Sequence, residues 1–178
     1  MRSGRRSQIV EAAIDTIAVE GLAGTSFAKI ARTARLSSTG LISYHFKNKS
    51  ELMAEVVRVV REELADFAAQ RMAEADGPAE QLHAYVVANV EYAAKHPARL
   101  RAARAIGLGE LADGLPELLV AGQRYGEFRF FDTEVMALAI RSVRDGVLDR
   151  IADGEPPADL AGYAEEISMI FELATRAV

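Results

Sequence analysis

Apolar residues recur along this chain at intervals of three and four residues, with polar residues between them. The first such segment places five apolar residues on one side of a helix: Val10, Ala13, Ile14, Ile17 and Ala18. Ser7 is the predicted N-cap of this helix, and Gly21 is its predicted end. No stretch of four or more residues alternates strictly between apolar and polar positions, so the pattern predicts an all-α chain of about nine helices.

Three helices follow closely on the first. A short one over residues 27–34 takes Thr25 or Ser26 as its cap, and another starts at Ser37-Ser38 and ends near residue 46. The fourth opens at Asn48, with Glu51 as a capping-box-like partner, and continues to about residue 75. Three short helices followed by a long one predict a helix-turn-helix domain at the N-terminus.

Five further helices are predicted in the rest of the chain. Gly77-Pro78 and Gly154–Pro157 separate neighbouring helices, and Gly107–Gly114, with three glycines, is predicted to be a loop. The predicted helices span residues 78–96, 98–107, 116–126, 133–152 and 159–177. We therefore expect a helix-turn-helix domain over residues 1–50 and a larger helical domain over residues 51–178.

The charge of the chain changes sign near the same boundary. The 178 residues have a net charge of −5, from 21 Lys and Arg and 26 Asp and Glu. Residues 1–50 hold eight of the bases and three of the acids, which gives +5, whereas residues 51–178 hold 13 bases and 23 acids, which gives −10. A basic head on an acidic body suggests that the head binds a polyanion.

Composition excludes several other classes of protein. Because the chain has no cysteine, it has no disulfide, thiolate zinc site or iron–sulfur cluster. Met1–Gln8 is basic but leads into an amphipathic segment, so no signal peptide is predicted. No run approaches the ~20 apolar residues that span a bilayer. We expect a cytoplasmic protein that does not associate with a membrane.

The segment around the third helix has residue types that suit contact with DNA. A helix that enters the major groove lies among phosphates, and no Asp or Glu occurs between Gly21 and Ser50. Hydroxyl, glycine, aromatic and basic residues supply the predicted contacts: Thr25, Ser26, Ser38, Thr39, Gly40, Ser43, Tyr44, His45 and Lys49. Lys49 is expected to clamp a phosphate at the start of the fourth helix. The alternative is that Tyr44 and His45 only pack the helix end and that the serines are only caps.

These residues resemble the tetracycline-repressor (TetR) family of bacterial regulators. Ser37–Leu52 (SSTGLISYHFKNKSEL) is similar to that family's recognition-helix region, including its Tyr-His-Phe-x-x-Lys-x-x-Leu spacing. Ile9–Ile14 and Thr25–Ala31 are similar to the first two helices of the family. In one departure, Arg35 stands where a turn glycine is common, and the turn is one residue longer than in many members.

The resemblance implies a homodimer whose two recognition helices read a palindromic DNA operator, about one helical turn apart. It also implies that a small-molecule effector binds in the helical body and changes the separation of the two heads. On this interpretation the protein is a repressor that its effector releases from DNA. We expect neither a cofactor nor a metal ion.

The last two predicted helices have apolar residues on more than one side. In the eighth helix one stripe is formed by Met136, Ile140, Val143, Val147 and Ile151, and a second stripe of small residues is formed by Ala139, Ser142 and Gly146. A helix with two such sides in a small domain is expected to contact both its own core and a second chain. The predicted dimer interface consists of Ala139, Ser142, Val143, Gly146, Ile167, Ile170 and Phe171. The alternative is a single core with no partner.

Polar residues inside apolar helical stretches are the candidates for effector binding. They are Asn89, Tyr92, Arg104 and Arg144. A buried arginine needs a carboxylate, which Asp145, Glu110 or a ligand could provide. The alternative is that these arginines are solvated or paired on the surface.

Enzyme signatures are absent from the sequence. There is no H-E-x-x-H, G-x-S-x-G or P-loop motif, and the three histidines share no metal-ligand spacing, so we expect that the protein is not an enzyme. One alternative to a regulator is a helical module whose basic head binds protein or nucleic acid without sequence choice. Another is an enzyme that uses a pocket in the body.

Overall fold

A computed structural model of the chain describes residues 2–109 and 113–177. In this part of the chain the helices are α1 (Arg2–Gly24), α2 (Phe27–Thr33), α3 (Gly40–His45), α4 (Lys49–Ala73), α5 (Pro78–Lys95), α6 (Pro97–Ile106), α7 (Leu115–Tyr125), α8 (Thr133–Ala152) and α9 (Leu160–Thr175). These same residues contain no strand, and one isolated antiparallel bridge joins Phe128 to Arg176. The predicted all-α class is confirmed.

The helices form two compact units, which we describe separately. The head unit, Met1–Glu63 with His96–Leu111, contains α1 to α3, the first part of α4, and α6. The body unit, Leu64–Lys95 with Ala112–Val178, contains the rest of α4 together with α5 and α7 to α9. This division follows packing alone. The functional division predicted at residue 50 stays a prediction.

In the head unit, α1 packs against both α2 and α6. The large apolar side chains of its core are fully buried, and they include Ile9, Ile14, Ile17, Ile30 and Leu52. Arg99 of α6 pairs with Glu11 of α1 at 2.8 Å and with Glu63 of α4 at 3.2 Å. Packing and ion pairs therefore make α6 part of the head unit, although it follows α5 in the chain.

In the body unit, α5 is the central helix, and α7, α8 and α9 all pack against it. Its buried side chains include Leu82, Tyr85 and Tyr92. On α8, Ile140, Val147 and Ile151 are buried as expected. Val143, which the pattern placed in the same stripe, is 40% exposed, and the neighbouring Arg144 is buried instead.

Two predicted helix starts are wrong. α1 begins at Arg2 rather than after Ser7, because the side chains of its first turns find partners: Arg5 donates to Gln8 at 2.7 Å, and Arg6 pairs with Glu55 of α4. α3 begins at Gly40 rather than at the serine pair, with Thr39 as its N-cap residue. The turn after α2 bonds back to that helix, the Leu36 N–H donating to the Ala31 carbonyl at 2.8 Å, and this delays the next helix.

Other predicted boundaries are confirmed. At Gly21 the backbone of α1 leaves the helical region, with φ of 71° and ψ of 167°, before a last turn to Gly24. The Asn48 side chain accepts from the Glu51 N–H at 2.9 Å, and Asp132 and Asp159 cap α8 and α9. Of the predicted loop after α6, residues 110–112, including Glu110, lie outside the described residues. Within residues 2–109 and 113–177, no helix is both long enough and apolar enough to cross a membrane.

The end of α7 carries one glycine whose lack of a side chain is essential to the packing. The Gly122 carbonyl accepts from the N–H groups of Glu127 and Phe128, both at 3.0 Å, so the connector to α8 folds back over the helix. Phe128 is buried, and its ring occupies the space that a Cβ at Gly122 would need. A larger residue at this position must displace the ring.

We expect Gly122→Ala to lower the free energy of unfolding by about 1–3 kcal/mol, because the added methyl group overlaps the Phe128 ring. Urea unfolding followed by circular dichroism measures the change. Gly4→Ala is the matched control, since a Cβ there meets nothing within 4 Å. A Gly122→Ala variant as stable as the Gly4→Ala variant would contradict this account.

Candidate functional site

The third helix is short and exposed on one side and anchored on the other. α3 contains six residues, of which Ile42 is fully buried, and Phe46 directly after it is 1% exposed. These two apolar side chains fix the helix on the head unit. The opposite side of α3, with Ser43 and Tyr44, faces solvent, and Tyr44 is 67% exposed.

Five predicted contact residues lie together here, and we call them the recognition surface: Ser38, Thr39, Gly40, Ser43 and Tyr44. All five are exposed. A Cβ at Gly40 would meet only the Ser38 hydroxyl, at 3.4 Å, so the backbone is open to close approach from outside. The surface has hydroxyl groups and an aromatic ring but no acid, which suits contact with phosphates and base edges.

His45 lies beside the recognition surface and is half-buried. Its ring meets the Tyr44 ring edge-on, with 5.2 Å between the ring centroids. The contact restricts how the tyrosine can turn. His45 therefore supports Tyr44 in addition to any contact of its own.

The structure places Thr25 and Ser26 differently. Ser26 is exposed and is the N-cap of α2, its hydroxyl accepting from the Lys29 N–H at 3.3 Å. Thr25 is buried, and its hydroxyl donates to the Gly21 carbonyl at 2.7 Å. The Thr25 side chain is thus used inside the head unit, and we leave it out of the proposed DNA contacts.

Lys49 is held inside the head unit rather than extended into solvent. Its ammonium donates to the carbonyl groups of Leu22 and Thr25, at 2.9 and 2.7 Å. These bonds tie the start of α4 to the turn between α1 and α2. An ammonium has three donors, so one N–H remains for a phosphate.

A cluster that the sequence analysis missed supports α3 from behind. The Arg6 guanidinium lies over the Phe46 ring, 4.8 Å from its centroid, and pairs with Glu55 of α4. Arg58 also pairs with Glu55, at 2.8 Å. Its hydrogen bond, together with that of Arg6, lowers the pKa of Glu55 to about 2 against the opposing effect of burial. The spacing of Glu55 and Arg58 was visible in the sequence, but the distant Arg6 was not.

The turn before α3 contains Arg35 in a left-handed conformation, with φ of 51°. No other non-glycine residue in the described part of the chain has a positive φ. The left-handed region costs a residue with a Cβ about 1–2 kcal/mol. The position therefore has the backbone shape of a turn glycine, although the residue is arginine.

The body unit holds a buried polar cluster around Asp113. One of its carboxylate oxygens accepts from the Tyr85 hydroxyl at 2.5 Å and from Arg144 at 2.6 Å, and Arg141 binds both oxygens, at 3.1 and 2.6 Å. Arg144 also donates to Asp145 at 2.9 Å and to Tyr85. Burial would raise the pKa of Asp113, but these hydrogen bonds hold it at about 2. Burial also raises the pKa of Tyr85, so its hydroxyl keeps its proton and donates.

The four candidate effector residues do not form one group. Arg144 belongs to the buried cluster, and its carboxylates come from the protein itself. Asn89 is buried and donates to the Tyr85 carbonyl at 2.7 Å, while the Tyr92 ring packs 5.9 Å from that of Phe67. Arg104 lies on α6 in the head unit. Effector binding by these residues stays a prediction, and Asp113 and Tyr85 were not among them.

The predicted dimer residues fall into two groups. Ile167 and Phe171 are buried in the core of the body unit. The other five are exposed on α8 and α9: Ala139, Ser142, Val143, Gly146 and Ile170. Four further apolar residues, which were not predicted from the sequence, are exposed on the same two helices: Val135, Leu138, Met169 and Leu173. They had no place in the predicted stripes.

The short acid-free helix α3 is fixed by buried side chains on one side and is followed by the long helix α4. This is the arrangement of a helix-turn-helix fold. Comparison with known proteins agrees. Residues 9–56 match the model of "Bacterial regulatory proteins, tetR family". This N-terminal part of the chain is therefore similar to the family that its sequence resembles.

Curated relatives include the HTH-type transcriptional regulator BetI of Burkholderia thailandensis, 38% identical over 92 residues, which are 51% of this chain and 47% of that protein. BetI of Paraburkholderia xenovorans is 40% identical over 93 residues. The chain thus matches about half the length of these relatives.

Solved structures show that the likeness in fold covers the whole chain. A bacterial regulatory protein of the tetR family from Rhodococcus RHA1 has a TM-score of 0.79 and 20% identity over 98% of both chains. A TetR family transcription regulator from Marinobacter aquaeolei VT8 has a TM-score of 0.79 and 17% identity over 100% of both. At these identities the likeness concerns the fold alone.

We expect Arg35→Gly to raise the free energy of unfolding by about 1 kcal/mol, because glycine adopts the left-handed turn without the penalty of a Cβ. Arg35→Ala is the matched control, since it removes the guanidinium and keeps the strain. Thermal unfolding of the two variants separates backbone from side chain. If Arg35→Gly were no more stable than Arg35→Ala, the turn would not be strained.

Proposed function

We propose that this chain is a transcription regulator that binds a palindromic DNA operator as a homodimer and that a small molecule releases it. The observation that carries the proposal is the recognition surface on α3. Its hydroxyl, glycine and aromatic groups are exposed together, within thirty residues that contain no acid, Gly21 to Ser50. Such a surface can approach a phosphate backbone without repulsion and present donors to base edges.

The roles proposed for individual residues follow from their exposure. Ser43 and Tyr44 face outward from the middle of α3, and we assign them contacts with base edges or the nearest phosphates. Ser26 at the start of α2, and Lys49 through its remaining N–H, are assigned phosphate contacts. Because a bacterial operator lies in the cytoplasm, the proposal also places the protein there.

The proposed dimer forms through the exposed apolar residues of α8 and α9. Leu138, Ile170 and Leu173 are each more than half exposed. Small residues beside them on α8, Ala139, Ser142 and Gly146, allow the backbones of two helices to approach closely. A second copy that covers this face would remove apolar area from water, which favours association.

The relatives are named HTH-type transcriptional regulators, which supports the DNA-binding part of this proposal more than the effector part. They match about half of this chain. We therefore propose regulation by an effector from the family and the fold, and take nothing about the identity of the effector from the relatives. Regulation rather than catalysis is proposed on the same ground.

Selection of genomic fragments by the purified chain tests the function. We expect enrichment of fragments that share a palindromic sequence, followed by gel shifts in which selected DNA binds at least tenfold more tightly than random DNA. Equal affinity for both would favour the alternative, a module that binds nucleic acid without sequence choice.

Tyr44→Ala is expected to weaken binding to the selected operator by about 1–3 kcal/mol, because it removes the largest exposed group of the recognition surface. Tyr125→Ala is the matched control, since Tyr125 is 70% exposed on α7 of the body unit. Fluorescence anisotropy with a labelled operator measures both. An operator affinity of the Tyr44 variant equal to that of the control would remove Tyr44 from the interface.

Leu138→Glu is expected to shift the monomer–dimer equilibrium toward monomer by at least tenfold, because it places an unpaired charge on the proposed interface. Val19→Glu is the control, since Val19 is 85% exposed on α1 of the head unit. Sedimentation equilibrium reports the dissociation constants. Unchanged association of the Leu138 variant would exclude this face as the interface.

A further inference from the structure

The cluster around Asp113 has the composition of a carboxylate-binding site. Two arginines and a tyrosine hydroxyl converge on one carboxylate, and Arg141 binds both of its oxygens side-on. Paired donation from a planar guanidinium to both oxygens is the arrangement by which arginine recognises carboxylates. The side chains of Arg144 and Asp113 are only 5 and 6% exposed.

Stability alone does not account for this cluster. Taking charged groups out of water costs about as much as their mutual attraction returns, and apolar residues of similar size often serve a core equally well. Arg144 occupies the inner side of α8, where Ile140, Val147 and Ile151 show that apolar residues fit, and the side chain of Arg141 is 30% exposed. A polar site at this depth is therefore more useful for recognition than for packing.

Asp113, whose carboxylate fills the site, lies beside a residue with unusual backbone geometry. Asp113 precedes α7, and the next residue, Gly114, is the N-cap of that helix with a left-handed φ of 67°. Glycine adopts this conformation freely and equally well leaves it. The backbone beside Asp113 thus has a low-cost way to change direction, which the helical positions of Arg141, Arg144 and Tyr85 lack.

An open groove of about 390 Å³ adjoins the same residue. Its wall on α4 is largely apolar, with Ala65, Ala69, Met72 and Ala73, and Gln81, Asp113 and Gly114 complete the lining together with Asp66. Asp113 is the one residue shared by the groove and the arginine cluster among those described. It therefore both lines the apolar groove and binds the two arginines.

We propose that Arg141, Arg144 and Tyr85 form the effector site of the body, that Asp113 occupies it as an internal ligand, and that an amphipathic carboxylic acid displaces Asp113 and lays its apolar chain in the groove. The groove favours an unbranched apolar chain because its α4 wall consists mainly of small residues. Asp66 is exposed on the rim, where water screens its repulsion of an anion.

An acid that displaces Asp113 must compete with a carboxylate that belongs to the same chain. Because Asp113 is tethered, its effective concentration at the arginines is high, so a carboxylate with no apolar chain competes poorly. Each methylene that the groove buries adds about fourfold in affinity. Binding of the acid does not depend on the DNA-binding role, whereas its regulatory consequence rests on the proposed function.

Thermal unfolding and calorimetric titration of the full chain without DNA test the binding step. We expect octanoate to raise the melting temperature and to bind, whereas acetate, octanol and octylamine do not. Arg144→Met and Arg141→Met should each lower octanoate affinity at least tenfold, and Arg150→Met, an exposed arginine on the same helix, should leave it unchanged. Equal shifts with octanol, or binding of octylamine in place of octanoate, would overturn the proposal.

Removal of the internal ligand gives the sharpest contrast. Asp113→Ala should bind octanoate at least tenfold more tightly than the natural chain and should now also be stabilised by acetate, which fills the vacated site. If that variant does not fold, Asp113→Asn, which removes the charge and keeps the shape, should still show tighter octanoate binding. No gain in either variant would mean that Asp113 does not occupy a ligand site.

The regulatory step is measured separately, with the selected operator. Octanoate should lower operator affinity in the natural chain and not in Arg144→Met. Octanoate binding without an effect on DNA would leave the carboxylate site standing and overturn its role in release. Failure to find an operator would count against the proposed function and not against the site.

Discussion

The head unit depends on the burial of two side chains behind a very short helix. Six residues cannot hold a helix in water by themselves, because nucleation costs more than so few hydrogen bonds return. α3 persists because Ile42 and Phe46 are buried, and a fully buried apolar side chain contributes about 1.5–3 kcal/mol. Every group on the recognition surface takes its position from this anchoring. The residues on the exposed side of α3 therefore do not have to stabilise the helix, and their side chains can be ones that suit binding.

The acidic residues of the head unit are also kept apart from the recognition surface. Its acids lie outside the interval Gly21 to Ser50, and several of them pair with bases: Glu55 with Arg6 and Arg58, and Glu20 with Lys29. No acid within this interval therefore neutralises the bases near α3. The Arg6 guanidinium both neutralises Glu55 and stacks on Phe46, so one side chain links the electrostatics of the head to the anchoring of its recognition helix.

Much of this architecture could be predicted from periodicity and caps. Asn48 caps α4 as expected, and Asp132 and Asp159 cap helices whose starts were predicted to within one residue, because an N-cap depends on residues within one turn of it. The start of α1 could not be predicted in this way, since its extra turn is stabilised by Glu55, almost fifty residues away. The exposed position of Ser26 and the buried position of Thr25 differ for a similar reason. Both are plausible caps by type, and only the packing of the α1–α2 turn distinguishes them.

In the body unit, still less could be predicted from the sequence. Val143 shares a predicted stripe with the buried Ile140 and Val147, yet it is 40% exposed. Arg144, which lies outside that stripe, is buried because the carboxylate of Asp113 reaches it. Ile167 and Phe171 fit either a core or an interface by type, and it is the position of α5 that buries them. Contacts between segments that are distant in the sequence decide whether such residues are buried, and the hydrophobic pattern does not predict these contacts.

The two kinds of similarity cover different lengths of the chain. Identity of about 40% to the BetI relatives extends over half of the chain, whereas likeness in fold to regulators at 17 and 20% identity extends over nearly all of it. Helix packing tolerates many apolar sequences, so a shared fold alone asks little of the body's residues. Polar groups that packing does not need are then the best guide to what the body recognises. Arg141, Arg144 and Tyr85 are such groups, and their present partner is an acid of the same chain. Because all three groups bind one carboxylate, the chemistry of the site indicates that the ligand we propose for it carries a carboxylate.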